Sequence, residues 1–158
     1  MDQYKIENFL KAHPGITFPT YLHLDENHAS AIRDAIAKSV DSPDLNGLAL
    51  VKKLRAVSTA AAGLQADESN FSVGGLLREL GVKIPEKVYL NWYRFDDIDQ
   101  IGLADLDRYF SDIWYPGTDD LDVFDDSAGW IVSIAHHGKV WLFNKNSLNH
   151  DTERIDRS

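Results

Sequence analysis

Residues Trp130 to Lys145, WIVSIAHHGKVWLFNK, constrain the fold more than any other stretch. Two runs rich in β-branched and aromatic residues flank His137-Gly138, and a two-residue loop with Gly second predicts a type I′ hairpin. In that hairpin, strands Trp130–His136 and Lys139–Lys145 pair so that 136 faces 139, 134 faces 141 and 132 faces 143. One face then carries Trp130, Val132 and Ile134 against Trp141 and Phe143. The other carries Ile131, Ser133 and Ala135 against Val140 and Leu142. Both faces are apolar, so the strands belong at the centre of a sheet with a layer on each side.

The chain before the hairpin supplies candidate layers. Asp2 to His13 predicts a helix with Tyr4, Ile6, Phe9 and Leu10 apolar, stopped by Pro14-Gly15. Ile16 to Leu24 has strand formers, but Pro19 confines it to an edge or an extended loop. Asp25 caps a helix running to about Val40, with Ile32, Ile36 and Val40 on one face. Ser42-Pro43 predicts another helix start. Its stripe is Leu45, Leu48, Val51, Leu54 and Val57, and the alanines Ala60 to Ala62 extend it to Gly63. Gln65 to Asn70 reads as a loop, and Val73 to Leu80 as a short helix ended by Gly81.

From Pro85 the pattern turns to strands. Lys87–Phe95 and Leu121–Phe124 are strands, and Leu103, Leu106, Phe110 and Ile113 mark an inserted helix ended by Pro116-Gly117. The expected class is α+β: a helical N-terminal half packed on a mainly antiparallel sheet of about four strands with one inserted helix. Residues 1–146 form one domain and 147–158 a polar tail. A boundary at Pro85 is disfavoured because the helical stripes need a sheet to cover them.

Charge has an address. The formal net charge is −9, and Asn91 to Asp126 carries eleven aspartates against Arg94 and Arg108. The remaining residues are therefore neutral on balance. A pI near 5 argues against nucleic acid, which needs clustered Lys and Arg. The absence of cysteine removes disulfides, thiol nucleophiles and cysteine-held metals. No apolar run is long enough for a membrane span, and the N-terminus lacks a signal-peptide pattern, so a cytoplasmic location is expected.

Specific chemistry is thin. Asp97-Ile98-Asp99-Gln100-Ile101-Gly102 imitates the start of a calcium loop, but Ile101 and Arg108 fall where ligands are required. An irregular divalent-metal site or hydrolase centre would draw on Asp122, Asp125 and Asp126 with His136, among neighbours Asp119 and Asp120. Ser72-Val73-Gly74-Gly75, before a helix, could receive an anion at the helix N-terminus, without the lysine of a phosphate loop. No cofactor is expected. The acidic stretch instead reads as a docking face for a cationic protein, with Asp96, Asp97, Asp99, Trp114, Tyr115, Asp119, Asp120 and Asp122 as contact residues. Exposed aromatics would also permit a homodimer.

The segment Trp114 to Phe143 joins an acidic turn, a strand ending in Phe124-Asp125, a Trp130-led strand, a His-Gly turn and a closing strand. It resembles the C-terminal half of small bacterial immunity proteins of polymorphic toxin systems, a group that includes the Smi1/Knr4-like (SUKH) proteins. The resemblance implies a non-catalytic binding module that blocks a basic toxin through an acidic surface.

Overall fold

The structure, a computed structural model, describes residues 1–147. The tail expected over 147–158 lies, beyond Ser147, outside the described residues. In chain order the first half runs α1 (Gln3–Ala12), β1 (Tyr21–His23), α2 (Glu26–Ser39), α3 (Gly47–Val57), β2 (Thr59–Gln65) and α4 (Val73–Leu80). The second half runs β3 (Lys87–Tyr93), β4 (Asp97–Gly102), α5 (Leu103–Arg108), α6 (Phe110–Ile113), β5 (Leu121–Phe124), β6 (Trp130–Ile134) and β7 (Lys139–Asn144). The class is α+β, with one antiparallel sheet of seven strands in the order β1-β4-β3-β5-β6-β7-β2.

The sheet exceeds the expected four strands by β1, β2 and β4. Two of these come from the half read as helical. β2 contains the alanine run Ala60 to Ala62, whose helix propensity loses to tertiary context. Ser58 ends α3 with its hydroxyl on the Leu54 carbonyl (2.7 Å), and β2 then pairs with β7 along an edge otherwise left without partners. β4 was masked by its aspartates, which strands disfavour. It folds back on β3 through Arg94 and Phe95, both left-handed (φ 49° and 61°). The buried Phe95 ring and a hydrogen bond from its amide to Asn91 Oδ1 (2.8 Å) hold that strained turn in place.

Two helix boundaries differ from the expected ones. α3 begins at Gly47 after Asn46, not at Ser42-Pro43, which lie in a turn closed by Leu45 N–H on the Ser42 carbonyl (3.0 Å). The expected helix from Leu103 to Ile113 breaks at Tyr109 into α5 and α6, yet Leu103, Leu106, Phe110 and Ile113 all stay buried. α4 has the expected bounds: Ser72 Oγ accepts from the Gly75 amide (2.9 Å) and Gly81 closes it left-handed. Asp25 caps α2 as expected, and the segment after Pro19 supplies edge strand β1.

Every residue of β6 is buried. Trp130, Val132 and Ile134 face a core with Val88, Leu90, Val123 and Val140, roofed by α4, α5 and α6. Ile131 and Phe143 face a second core with Phe124, Phe95 and Ile98 beneath α2 and α3. The two-sided cover follows from the apolar pattern, but the hairpin register differs from the expected one. Ile134 pairs with Val140, Ser133 with Trp141 and Val132 with Leu142. The Gly138 amide donates to the Ala135 carbonyl (2.8 Å), and Gly138 itself is left-handed at φ 91°. This is a three-residue loop, a turn followed by a glycine bulge, rather than a two-residue type I′ turn.

A Cβ at position 138 would lie 2.8 Å from Gln65 Oε1, beside the β2–β7 pairing. Gly138→Ala is expected to lower stability by about 1–3 kcal/mol in chemical denaturation. An unchanged midpoint would contradict the bulge.

Candidate functional site

The aspartates of residues 91–126 do not form one face. Asp99 is fully buried on β4, where its carboxylate accepts from Trp92 Nε1 (2.8 Å), meets His23 Nδ1 (2.9 Å) and pairs with the Met1 amino group. Asp119 is 8% exposed. Its Oδ2 accepts from Lys5 Nζ (2.6 Å) and the Tyr115 amide (2.8 Å), and its carbonyl accepts from Trp114 Nε1 (2.9 Å). Trp114 is core, stacked on Phe110. Asp99, Asp119 and Trp114 are therefore interior fasteners, which corrects their expected role as contact residues. Lys5 is their counterpart. It was outside the apolar stripe expected for α1, yet Lys5 and Phe9 face inward while Tyr4 and Leu10 are exposed. The Lys5 ammonium also donates to the Ile113 carbonyl (2.8 Å) and lies 4.0 Å from the Trp92 ring centre. With the Tyr115 ring 5.2 Å away, four attractive contacts offset its desolvation.

The anion that the helix start at Ser72–Gly75 receives belongs to the chain itself. Asp107 of α5 accepts from the Val73 and Gly74 amides (2.7 and 3.0 Å). A Cβ at Gly74 would fall 2.6 Å from Asp107 Oδ2, so only glycine admits this carboxylate so close. Burial pushes the Asp107 carboxyl above the ordinary carboxylate value, against the pull of those two amides and of Arg78.

The suggested metal ligands are not brought together. Asp125 caps its own turn through Ser127, and Asp126 accepts from the Tyr89 hydroxyl (2.6 Å) at one end of β5. His136 is beyond the other end, where Asp120 accepts from its backbone amide (2.8 Å) and meets its Nδ1 (2.9 Å). Asp122, between them, accepts from Ser133 Oγ (2.6 Å) and Asn91 Nδ2 (2.9 Å). Among the described residues no three His, Asp or Glu side chains gather as a cation would require. None of the described helices is long and apolar enough to cross a membrane.

Apart from Asp126 at the far end of β5, the exposed aspartates of this stretch collect at one end of the sheet. Asp96 projects from the β3–β4 turn, Asp97 is half-exposed (48%) and Asp120 is exposed (69%). Tyr93, 56% exposed, stands among them with the Arg94 guanidinium over its ring at 4.6 Å. A notch of about 170 Å³ is lined by Asp2, Trp92, Tyr93, Asp97, Asp119 and Asp120. Tyr115 is half-buried near it, its ring 5.7 Å from that of Tyr4. On the other side of Trp92 and Tyr93 a larger cleft of about 370 Å³ opens between α3 and the sheet. Its lining includes Leu48, Val51, Arg55, Asp120, Asp122 and His136. Burial raises the Asp122 carboxyl above its usual value. Ser133, Asn91 and the field of Arg55 pull it down, and Asp120 adds to the rise.

Sequence reasoning passed over Tyr93, Arg55, Asn91 and Ser133. Ser133 did carry a signal: a lone hydroxyl inside WIVSIA needs a buried partner on a neighbouring strand. Asn91, between Leu90 and Trp92, carries the same one.

Removing the ammonium in Lys5→Met leaves Asp119 uncompensated and is expected to cost roughly 3–5 kcal/mol, read by urea denaturation. A cost under about 1 kcal/mol would make the pair a surface ornament. At Tyr89, burial first and the Asp126 hydrogen bond second push the phenol up to about 12, against about 10 when unfolded. The stability tied to neutral Tyr89 is complete below about pH 10 and is lost as pH rises through about 12. Tyr89→Phe is expected to lessen the fall in denaturation midpoint across that window, and parallel curves for both proteins would refute the assignment.

Compared with family models, curated proteins and solved structures, the chain matches none.

Proposed function

We propose that this protein is a non-catalytic binding module that docks a cationic protein through the acidic rim around Tyr93. The observation that carries the reading is the pairing of an exposed aromatic with carboxylates that face water. Tyr93 is 56% exposed, Asp96 is exposed, and Asp97 and Asp120 flank it beside the acid-lined notch. An exposed ring among carboxylates offers what a lysine- or arginine-rich surface needs, a cation–π face and counter-charges in one place. Arg94 already uses the ring in that manner. The contact set is narrower than the acidic stretch as a whole: Asp2, Tyr93, Asp96, Asp97 and Asp120, with Tyr115 at its edge.

The specific form of the proposal is an immunity-type inhibitor acting in the cytoplasm on a toxin with a basic active site. Its support is the likeness of Trp114–Phe143 to immunity proteins, together with the location of the acid rim next to that segment. Of the expected contacts, Asp96, Asp97, Tyr115 and Asp120 remain in the proposal. Asp122 enters it as part of the cleft.

The test is kinetic. With the partner recovered from the native cell, the triple variant Asp96→Asn, Asp97→Asn, Asp120→Asn is expected to slow association about tenfold at low salt and to flatten its salt dependence. An association rate and salt slope equal to those of the unaltered protein would end the docking reading.

A further inference from the structure

We infer that the cleft between α3 and the sheet is a receptacle for one cationic side chain, a guanidinium or ammonium, carried by the partner. This rests on the docking reading above and names its anchor. The cleft, about 370 Å³, is of a size to take the stem and head of an arginine or lysine. Its apolar lining suits such a stem: Leu48 and Val51 from α3, with Tyr93 at the end of β3 and Ala135 just past β6.

The carboxylate in the lining is the decisive feature. Asp122 has both oxygens in neutral hydrogen bonds, to Ser133 and Asn91, and among the described residues no cation lies within ion-pair distance of it. A half-buried carboxylate without a counter-ion is costly, and a guanidinium brought to it relieves that cost. Ser133 and Asn91 fix its orientation beforehand, which spares ordering on binding.

Two guanidiniums and a second carboxylate also face the cleft. Arg55 stacks on Trp141 at 3.6 Å, on a strand two places from Asp122, and Arg94 lies over Tyr93. Both guanidiniums are thus engaged with aromatic rings, on the walls of the cleft. Asp120, bonded to His136, adds a second carboxylate at the rim, and His137 completes that side.

The experiment titrates butylguanidinium, a stem and head without a peptide, into the isotopically labelled full chain, with butanoate as the anionic control. Backbone amides of Val51, Asp122 and His136 and the Asn91 side-chain amide are expected to shift saturably with butylguanidinium alone. Asp122→Asn still accepts from Asn91 through its oxygen and can donate its amide to the Ser133 hydroxyl, and is expected to weaken that binding by about tenfold. Leu48→Trp, at an exposed site on α3, keeps Asp122 but fills the mouth, and is expected to weaken it as well. Butanoate binding at these residues, or butylguanidinium binding indifferent to Asp122→Asn, would overturn the inference. Saturable, Asp122-dependent binding upholds the cleft whatever the rim variants do to partner association. Its absence removes the cleft and leaves the rim to its own kinetic test.

Discussion

The strand β6 has no solvent face, and the rest of the molecule is arranged to satisfy that condition. Five consecutive residues, Trp130 to Ile134, are buried. Each large apolar side chain among them contributes about 1.5–3 kcal/mol when removed from water. Obtaining that on both faces requires two layers, and the chain supplies α4, α5 and α6 for one side and α2 and α3 for the other. With both faces closed, polar chemistry is confined to the edges and ends of the sheet. The acid rim and the cleft are both at the end where β3, the start of β5 and the β6–β7 turn meet.

Against that frame, the density of aspartate resolves into separate tasks. Asp99 and Asp119 bind interior donors, and Asp107 terminates α4 from another helix. Asp125 and Asp126 tie down the turn after β5 and the Tyr89 hydroxyl. Each of these carboxylates is held by donors that fold with it, so the repulsion expected from eleven clustered acids is largely divided among local partners. The acids left facing water are few, and their proximity to Tyr93 gives the surface its direction.

Much of the fold was legible because it follows local rules. The Ser72 cap and Gly81 stop bound α4, Pro19 marked an edge strand, and the apolar face Leu103–Ile113 survived a break in its helix. The hairpin failed by one residue because His137-Gly138 fits two loop types that differ only in whether His136 belongs to the strand. β2 and β4 were hidden for opposite reasons. One is rich in a helix former and the other in a strand-averse acid, and only pairing with β7 and β3 decides them. The site was less legible still. A carboxylate bonded to an indole reads the same in sequence as one exposed to water. Spacing could not reveal that Lys5 lies against Asp119, 114 residues away.

The acidic stretch divides into buried fasteners and a small exposed rim. Carboxylate footprinting tests it most directly, by coupling an amine to accessible acids of the native protein with a carbodiimide and locating the adducts by mass spectrometry. Rapid modification of Asp96 and Asp120 is expected, with Asp99 and Asp119 protected until the protein unfolds. Equal modification rates for all four in the folded state would contradict it.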